Sequence, residues 1–307
     1  MINISGKNGI EAKVVQDSIS PDNKRILTFE LTYMRYIHAE FLTHRMLSRN
    51  AASSRAIPVE KMHEFIRTSP ATPVVWQKNQ PGMQSSIDLV GEELEIAQRE
   101  WRIATNLAVD SSQALLKAGL HKQWANRVTE PFQMMKVVVT ATEWSNFFWL
   151  RNHADAQPEI HELARVMFDA MTESVPNPIG FNEWHVPYVK RERRYLNGDL
   201  IYLDNEGTPI TAEDARIVSA SCCAQVSFRK SDDSLEKARS IYARLVESSP
   251  VHASPVEHQA MPIESPNQPL SKWFQKGVTH FDKKHDAWSG NFKGWVQFRQ
   301  LISGHSR

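Results

Sequence analysis

The chain has 307 residues, 41% of them apolar, with 36 Lys and Arg against 35 Asp and Glu. This is enough to bury a sizeable core, and a formal charge of +1 excludes the strong basic bias of a dedicated nucleic-acid binder. The adjacent Cys222 and Cys223 offer no disulfide framework and fit a reducing, cytoplasmic setting; the opening MINISGKNGIEAK has no apolar h-region, and no window approaches the ~18 continuous apolar residues of a membrane span.

Residues 25–36, RILTFELTYMRY, alternate apolar and polar side chains and predict a strand. The pattern turns helical over 37–48. This places Thr43–Arg55 on a helix end and the loop after it, and Pro58 keeps Ile57 out of any helix. Residues 68–88 are rich in Pro, Ser, Thr and Gln and read as a loop. A long helix follows over 89–117, with Leu94, Ala97, Trp101, Ala104, Ala108, Ser111 and Leu115 near one stripe and Gly119 as a stop. A shorter helix covers 121–128, and an apolar segment runs from Val137 to Leu150. After a turn at 152–157, Pro158 stands at a first helical position, ahead of Ile160, Leu163, Ala164, Met167, Phe168 and Met171 at helical spacing. Residues 175–210 look irregular. Two helices are expected at 213–228 and 235–246, and the tail GNFKGWVQFRQL should open in a turn and end in a short helix.

Thr43 to Pro58, THRMLSRNAASSRAIP, gathers hydroxyl and cationic side chains beside an apolar segment. His44, Arg45, Ser48, Ser53, Ser54 and Arg55 together suit an anion held by charge-assisted bonds, and phosphate is the obvious guest. No glycine occurs there, so it is not a glycine-rich phosphate loop. Composition alone favours a solvated helix end, since charge runs usually face water. His153, Asp155 and His161 have no recognised ligand spacing, so no metal site is expected. The run Lys190, Arg191, Arg193, Arg194 reads as a solvated loop, Cys222 and Cys223 as packing residues, and Glu257 and His258 as groups that orient their own loop.

The stretch resembles the signature of the flavin-dependent thymidylate synthases, the ThyX family: RHR, seven residues, Ser, then Arg two further on. Here it stands as Thr43-His44-Arg45, seven residues, Ser53, Ser54, Arg55. NFFWLRNHADAQPEI, from Asn146 to Ile160, is similar to a second family block. AQVSF (224–228) with HASPVEH (252–258) is similar to a third. The third block comes first in the usual family chain, so the order resembles a circularly permuted, virus-type branch.

The resemblance implies an α+β, ThyX-like fold with an antiparallel or mixed sheet and long helices. The chain would be one domain over 1–307, with catalytic blocks at 25–175 and 213–262, a linker or insertion at 176–212 and a C-terminal extension at 263–307. It implies C5 methylation of a pyrimidine deoxynucleotide, dUMP to dTMP, with FAD, NADPH as reductant and 5,10-methylenetetrahydrofolate as carbon donor. It further implies a homotetramer in the cytoplasm (the host's, if virus-encoded), with no membrane or nucleic-acid partner. By carry-over, Arg151 and His252 are catalytic, and His44, Arg45, Ser254 and Asn146 hold flavin. Glu40, Ala52, Ser53, Ser54, Arg55, Arg151 and Lys136 hold the nucleotide. Arg151 would face the pyrimidine edge as N3 ionises. The chain departs from the pattern at Thr43 (Arg in the family), Ala51 (Glu), Glu40 (Gln) and Lys136 (Arg). These departures keep open dCMP as substrate, a 5-hydroxymethyl product, or a non-enzymatic nucleotide or nucleic-acid binder on the same scaffold.

Overall fold

The computed structural model describes residues 2–53, 57–194, 198–226, 234–264 and 275–306. Ser54, Arg55, Ser227 and Phe228 lie outside them. At the centre is a six-stranded sheet. Strands β1 (Asn3–Ser5), β2 (Glu11–Ile19), β3 (Arg25–Met34), β4 (Ser48–Ala51) and β5 (Met134–Ala141) run antiparallel in the order β1-β2-β3-β5-β4. The two-residue β6 (Asn177–Pro178) joins β2 in parallel. The α+β expectation holds, and β3 falls where the alternation placed it.

Successive side chains of a strand face opposite sides. Phe29, Leu31 and Tyr33 of β3 and Val137, Val139 and Ala141 of β5 share one core with Ile160, Leu163, Ala164 and Met167 of α6 (Pro158–Glu173). Pro158 opens α6 as expected, because its missing N–H lies where no helical partner exists. A bulge between Val14 and Gln16 changes the facing of β2. Ala12 and Val14 join the α6 core, whereas Gln16 and Ser18 face a second layer.

That second layer contains α7 (Ala212–Ala224), α8 (Leu235–Val246), a meander of β7 (Lys190–Arg193), β8 (Leu200–Leu203) and β9 (Pro209–Ile210), and the C-terminal strands. The irregular reading of 175–210 is thereby corrected: its described residues include four short strands, β6 to β9. The layer meets the sheet through a buried polar chain. Arg191 donates to Ser18 Oγ (3.1 Å), and Ser18 Oγ bonds His185 Nδ1 (2.8 Å). His185 Nε2 bonds Thr28 Oγ1 (2.9 Å), Thr28 bonds Thr140 Oγ1 (2.7 Å), and Thr140 bonds His258 Nδ1 (2.9 Å). A guanidinium can only donate. Ser18 Oγ therefore accepts from Arg191, and the directions beyond it follow from the tautomers of His185 and His258. The basic run forms a strand rather than a loop; Lys190, Arg193 and Arg194 are exposed as expected, with Arg193 pairing with Glu183 (2.9 Å), but Arg191 serves the interior.

Three other expectations need correction. The helix over 37–48 shrinks to a 3₁₀ turn and α1 (His38–Phe41), because Ser48–Ala51 pairs with β5, Ser48 opposite Thr140 and Ala51 opposite Val137. Sheet pairing overrides local helical spacing. Residues 59–68 form α2 (Val59–Thr68), absent from the expectations although Val59, Met62, His63 and Ile66 carry helical spacing. The long α3 (Gly91–Lys117) exists, but its buried seam is Thr105, Val109 and Ser112; Ala104 and Ser111 of the expected stripe are exposed. After α4 (Lys122–Ala125), the apolar run 137–150 divides between β5 and α5 (Ser145–Arg151). The tail adds β10 (Ala260–Pro262), β11 (His280–Phe281), β12 (Ala287–Ser289), β13 (Phe292–Lys293) and β14 (Trp295–Gln297) before a 3₁₀ turn over Phe298–Leu301.

Thr140 is fully buried between two hydroxyl and imidazole partners. Thr140→Val keeps the shape and strands both partners, so chemical denaturation should show a loss of about 1–3 kcal/mol.

Candidate active site

Arg151 ends α5 and reaches the turn after α1. Its Nε donates to His44 Nε2 at 2.9 Å, and its Nη1 donates to Glu40 Oε1 in a direct ion pair. Because Nε2 of His44 accepts, the imidazole proton sits on Nδ1. The ring stands edge-on to Phe147, 4.9 Å between centroids. Burial, then the guanidinium groups of Arg151 and Arg49, push the His44 pKa down to about 4, so it is neutral at physiological pH. Thr43, where the family has Arg, acts locally, its Oγ1 donating to the Glu40 carbonyl (2.7 Å).

Arg49, on β4, was not singled out from the sequence. Its Nη1 donates to the carbonyls of His44 (2.7 Å) and Leu42 (3.2 Å), tying down the turn that carries His44. Cations at a helix C-terminus satisfy carbonyls that the helix leaves open. Ser48-Arg49-Asn50 are three polar residues in a row with no alternation, so no local signal marks this strand; its pairing with β5 does.

The third motif block packs on the same strand. With its amide nitrogen turned toward Ser254, Asn50 donates to Ser254 Oγ (3.2 Å) and to the Ser254 carbonyl (3.3 Å). His252 is exposed, with Nδ1 3.4 Å from Ser254 Oγ. Glu257 pairs with Arg299, and His258 bonds Thr140; the two turn to different partners and anchor their loop, as expected. The tail clasps both blocks. Gln297 Nε2 donates to Ser48 Oγ (3.1 Å), the Glu257 carbonyl (3.1 Å) and Asn291 Oδ1 (3.0 Å), while Asn291 Nδ2 donates to the Met46 carbonyl (2.9 Å). Gln297 is 1% exposed.

Two cavities receive the remaining residues. One of about 1720 Å³ opens beside the start of α6 and is lined by Glu40, Arg151, Gln157, His161 and the 80–86 loop. Another of about 870 Å³ lies under α2 on the opposite sheet face, against Glu30, Thr32, Lys136, Ala52 and Val226. The structure thus brings Glu40, His44 and Arg151 together and sets His252 and Ser254 beside β4, but it places Ala52 and Lys136 in a different cavity. Lys136 lies 3.9 Å from Glu30. Arg45 and Asn146 are exposed and make no side-chain hydrogen bond or ion pair among the described residues, and Ser53 is half-buried. Cys222 and Cys223 are buried free thiols. Among the described residues no cluster of three or more His, Cys, Asp or Glu could hold a metal.

The profile of the family described as thymidylate synthase complementing protein matches residues 16–177, more than half of the chain. The chain belongs to this family. It is an enzyme of the thymidylate synthase type, acting at C5 of a pyrimidine nucleotide. Among solved structures it is similar to a UMP/dUMP methylase, PolB from Streptomyces cacaoi, in two forms. The form bound with 5-Br dUMP has a TM-score of 0.45 and 16% identity, over 55% of this chain and 93% of that one. The form bound with 5-Br UMP has a TM-score of 0.42 and 15% identity, over 53% and 89%. No curated protein matches. No described helix is long and apolar enough to cross a membrane.

Two measurements probe this geometry. A histidine held below its unfolded value near 6.5 contributes stability that is present above that value and lost as pH falls toward the folded value. His44 and His38 (both about 4) and His258 (about 3) share this sign. Denaturation midpoints should therefore fall as pH drops from about 6.5 to 4. An NMR titration should also find the His44 pKa closer to the ordinary value in Arg151→Ala. Gln297→Ala should cost about 2 kcal/mol or more and speed amide exchange at Met46–Ser48, which exchange-mass spectrometry would detect.

Proposed function

We propose that the chain methylates dUMP to dTMP. The observation that carries this reading is the fixed Arg151–His44 pair at a cavity wall, joining residues 107 positions apart from two motif blocks. A guanidinium held in place by a neutral imidazole donates to a base edge without reorganising, which is how a preorganised site lowers a barrier. Exposed Arg45 and Asn146, with Ser254 beside β4, are open hydrogen-bonding groups of the kind a flavin's ring oxygens and pyrophosphate need, so the residues fit FAD. When bound, FAD reduced by NADPH would supply hydride, and 5,10-methylenetetrahydrofolate the carbon. His252, exposed next to Ser254, is placed to exchange a proton with solvent.

Ala52 and Lys136 line one cavity and Arg151 the other, which supports a nucleotide site shared between copies in a homo-oligomer, a tetramer by the family's habit. The packing of the 254–257 turn on β4 and the end of the family match at residue 177, ahead of AQVSF and HASPVEH, support a circular permutation. In that arrangement 1–307 is one domain, with catalytic blocks 25–175 and 213–262. Two adjacent cysteines with no disulfide framework support a cytoplasmic setting.

The full chain incubated with FAD should turn yellow and bleach on NADPH. Arg151→Ala should stay yellow while its dTMP formation, read by mass spectrometry, falls at least about a hundredfold. A protein that takes up no flavin and binds no pyrimidine nucleotide would overturn the proposal, and normal turnover in Arg151→Ala would remove that residue from it.

A further inference from the structure

Glu40 stands where the resembling family carries Gln, and the structure shows what the exchange does. Its carboxylate is in direct contact with Arg151 Nη1, and both side chains line the same cavity, 28% and 21% exposed. Oε2 of Glu40 and the Nη2 hydrogens of Arg151 have no protein partner among the described residues. His44 adds no charge, so carboxylate and guanidinium leave the trio formally neutral. The wall therefore presents one strong acceptor beside strong donors, and the nearby Arg49 is turned to the carbonyls of Leu42 and His44.

Those two properties bear differently on the two pyrimidines. Cytosine offers a 4-amino donor next to the N3 acceptor, an edge that is neutral and remains so. Carboxylates accept from the cytosine 4-amino group, and guanidinium groups donate to ring acceptors. Uracil also offers a donor and an acceptor, N3–H and O4. Its activation at C5, however, draws on ionisation of N3, and that charge would develop against a carboxylate that already cancels the arginine. A glutamine at the same position can accept or donate and adds no charge.

We infer that the Glu40–Arg151 pair admits a 4-aminopyrimidine nucleotide, so that dCMP is a substrate alongside dUMP; this rests on the assignment of Arg151 to the base edge. Glu40 is then a specificity-determining residue, with Oε2 accepting from the 4-amino group while Arg151 donates to N3. The electron count is that of the uracil reaction. C5 bonds the folate methylene carbon and loses its proton, the carbon–nitrogen bond to folate breaks, and that carbon receives one hydride whose ultimate source is the NADPH named above. The product is 5-methyl-dCMP.

Calorimetric titration of dCMP and dUMP into the full-length wild type, Glu40→Gln and Glu40→Asp tests this, with product masses from each nucleotide read in parallel. The wild type should bind dCMP within about tenfold of dUMP, and Glu40→Gln should move the ratio toward dUMP by roughly tenfold or more. Glu40→Asp, which keeps the carboxylate, should retain the wild-type preference. A wild type that binds dUMP but rejects dCMP, or a ratio unchanged in Glu40→Gln, overturns the inference and leaves the C5 methylation of dUMP standing. Failure of both nucleotides to bind any of the three proteins overturns the proposed function itself, and this inference with it.

Discussion

The four-residue pairing of β4 with β5 is the constraint on which the site depends. Strand β5 is packed on both faces, by the α6 core through Val137 and Val139 and by the second layer through Val138 and Thr140. A short edge strand laid on so rigid a neighbour inherits its position. From β4, Arg49 holds the turn bearing His44, Asn50 meets Ser254, and Ser48 receives the tail. Each of these groups is polar, and each is fixed by hydrogen bonds rather than by apolar contact. In a buried setting such bonds are costly to break, because the partner left behind loses both its bond and its water.

The arrangement also explains how a motif can lose members and keep its geometry. Thr43 supplies no guanidinium, yet its hydroxyl closes the turn after α1. Glu40 places a negative charge on the cavity wall, and that charge is met at contact by Arg151. Substitutions that would be disruptive one at a time are accommodated because a neighbour answers them.

Where the sequence was legible, the reason is periodicity. Strand β3 alternates because one face meets the α6 core, and α6 repeats at helical spacing behind a proline that fixes its first turn. The motif residues His44 and Arg151 were recognisable by resemblance to the family's blocks, and they do meet. The failures share a cause: long-range partners decided the outcome. Ser48–Ala51 looks helical in isolation and is a strand because β5 lies next to it. Val15 is the unpaired residue of a bulge, which no local pattern reveals, and it sends Gln16 and Ser18 to the other layer. Residues 190–210 have weak local signals and become a meander only against the second layer. Gln297 is chemically anonymous in the sequence; its importance lies in three acceptors contributed from residues 48, 257 and 291.

That last contact bears on the order in which the protein matures. Ser48 leaves the ribosome long before Gln297, 249 positions further on, is polymerised, so the nascent chain carries an unlatched β4 through that synthesis. The Ser48–Gln297 bond can form only after Gln297 has emerged, so a late step of translation completes the polar clasp on β4.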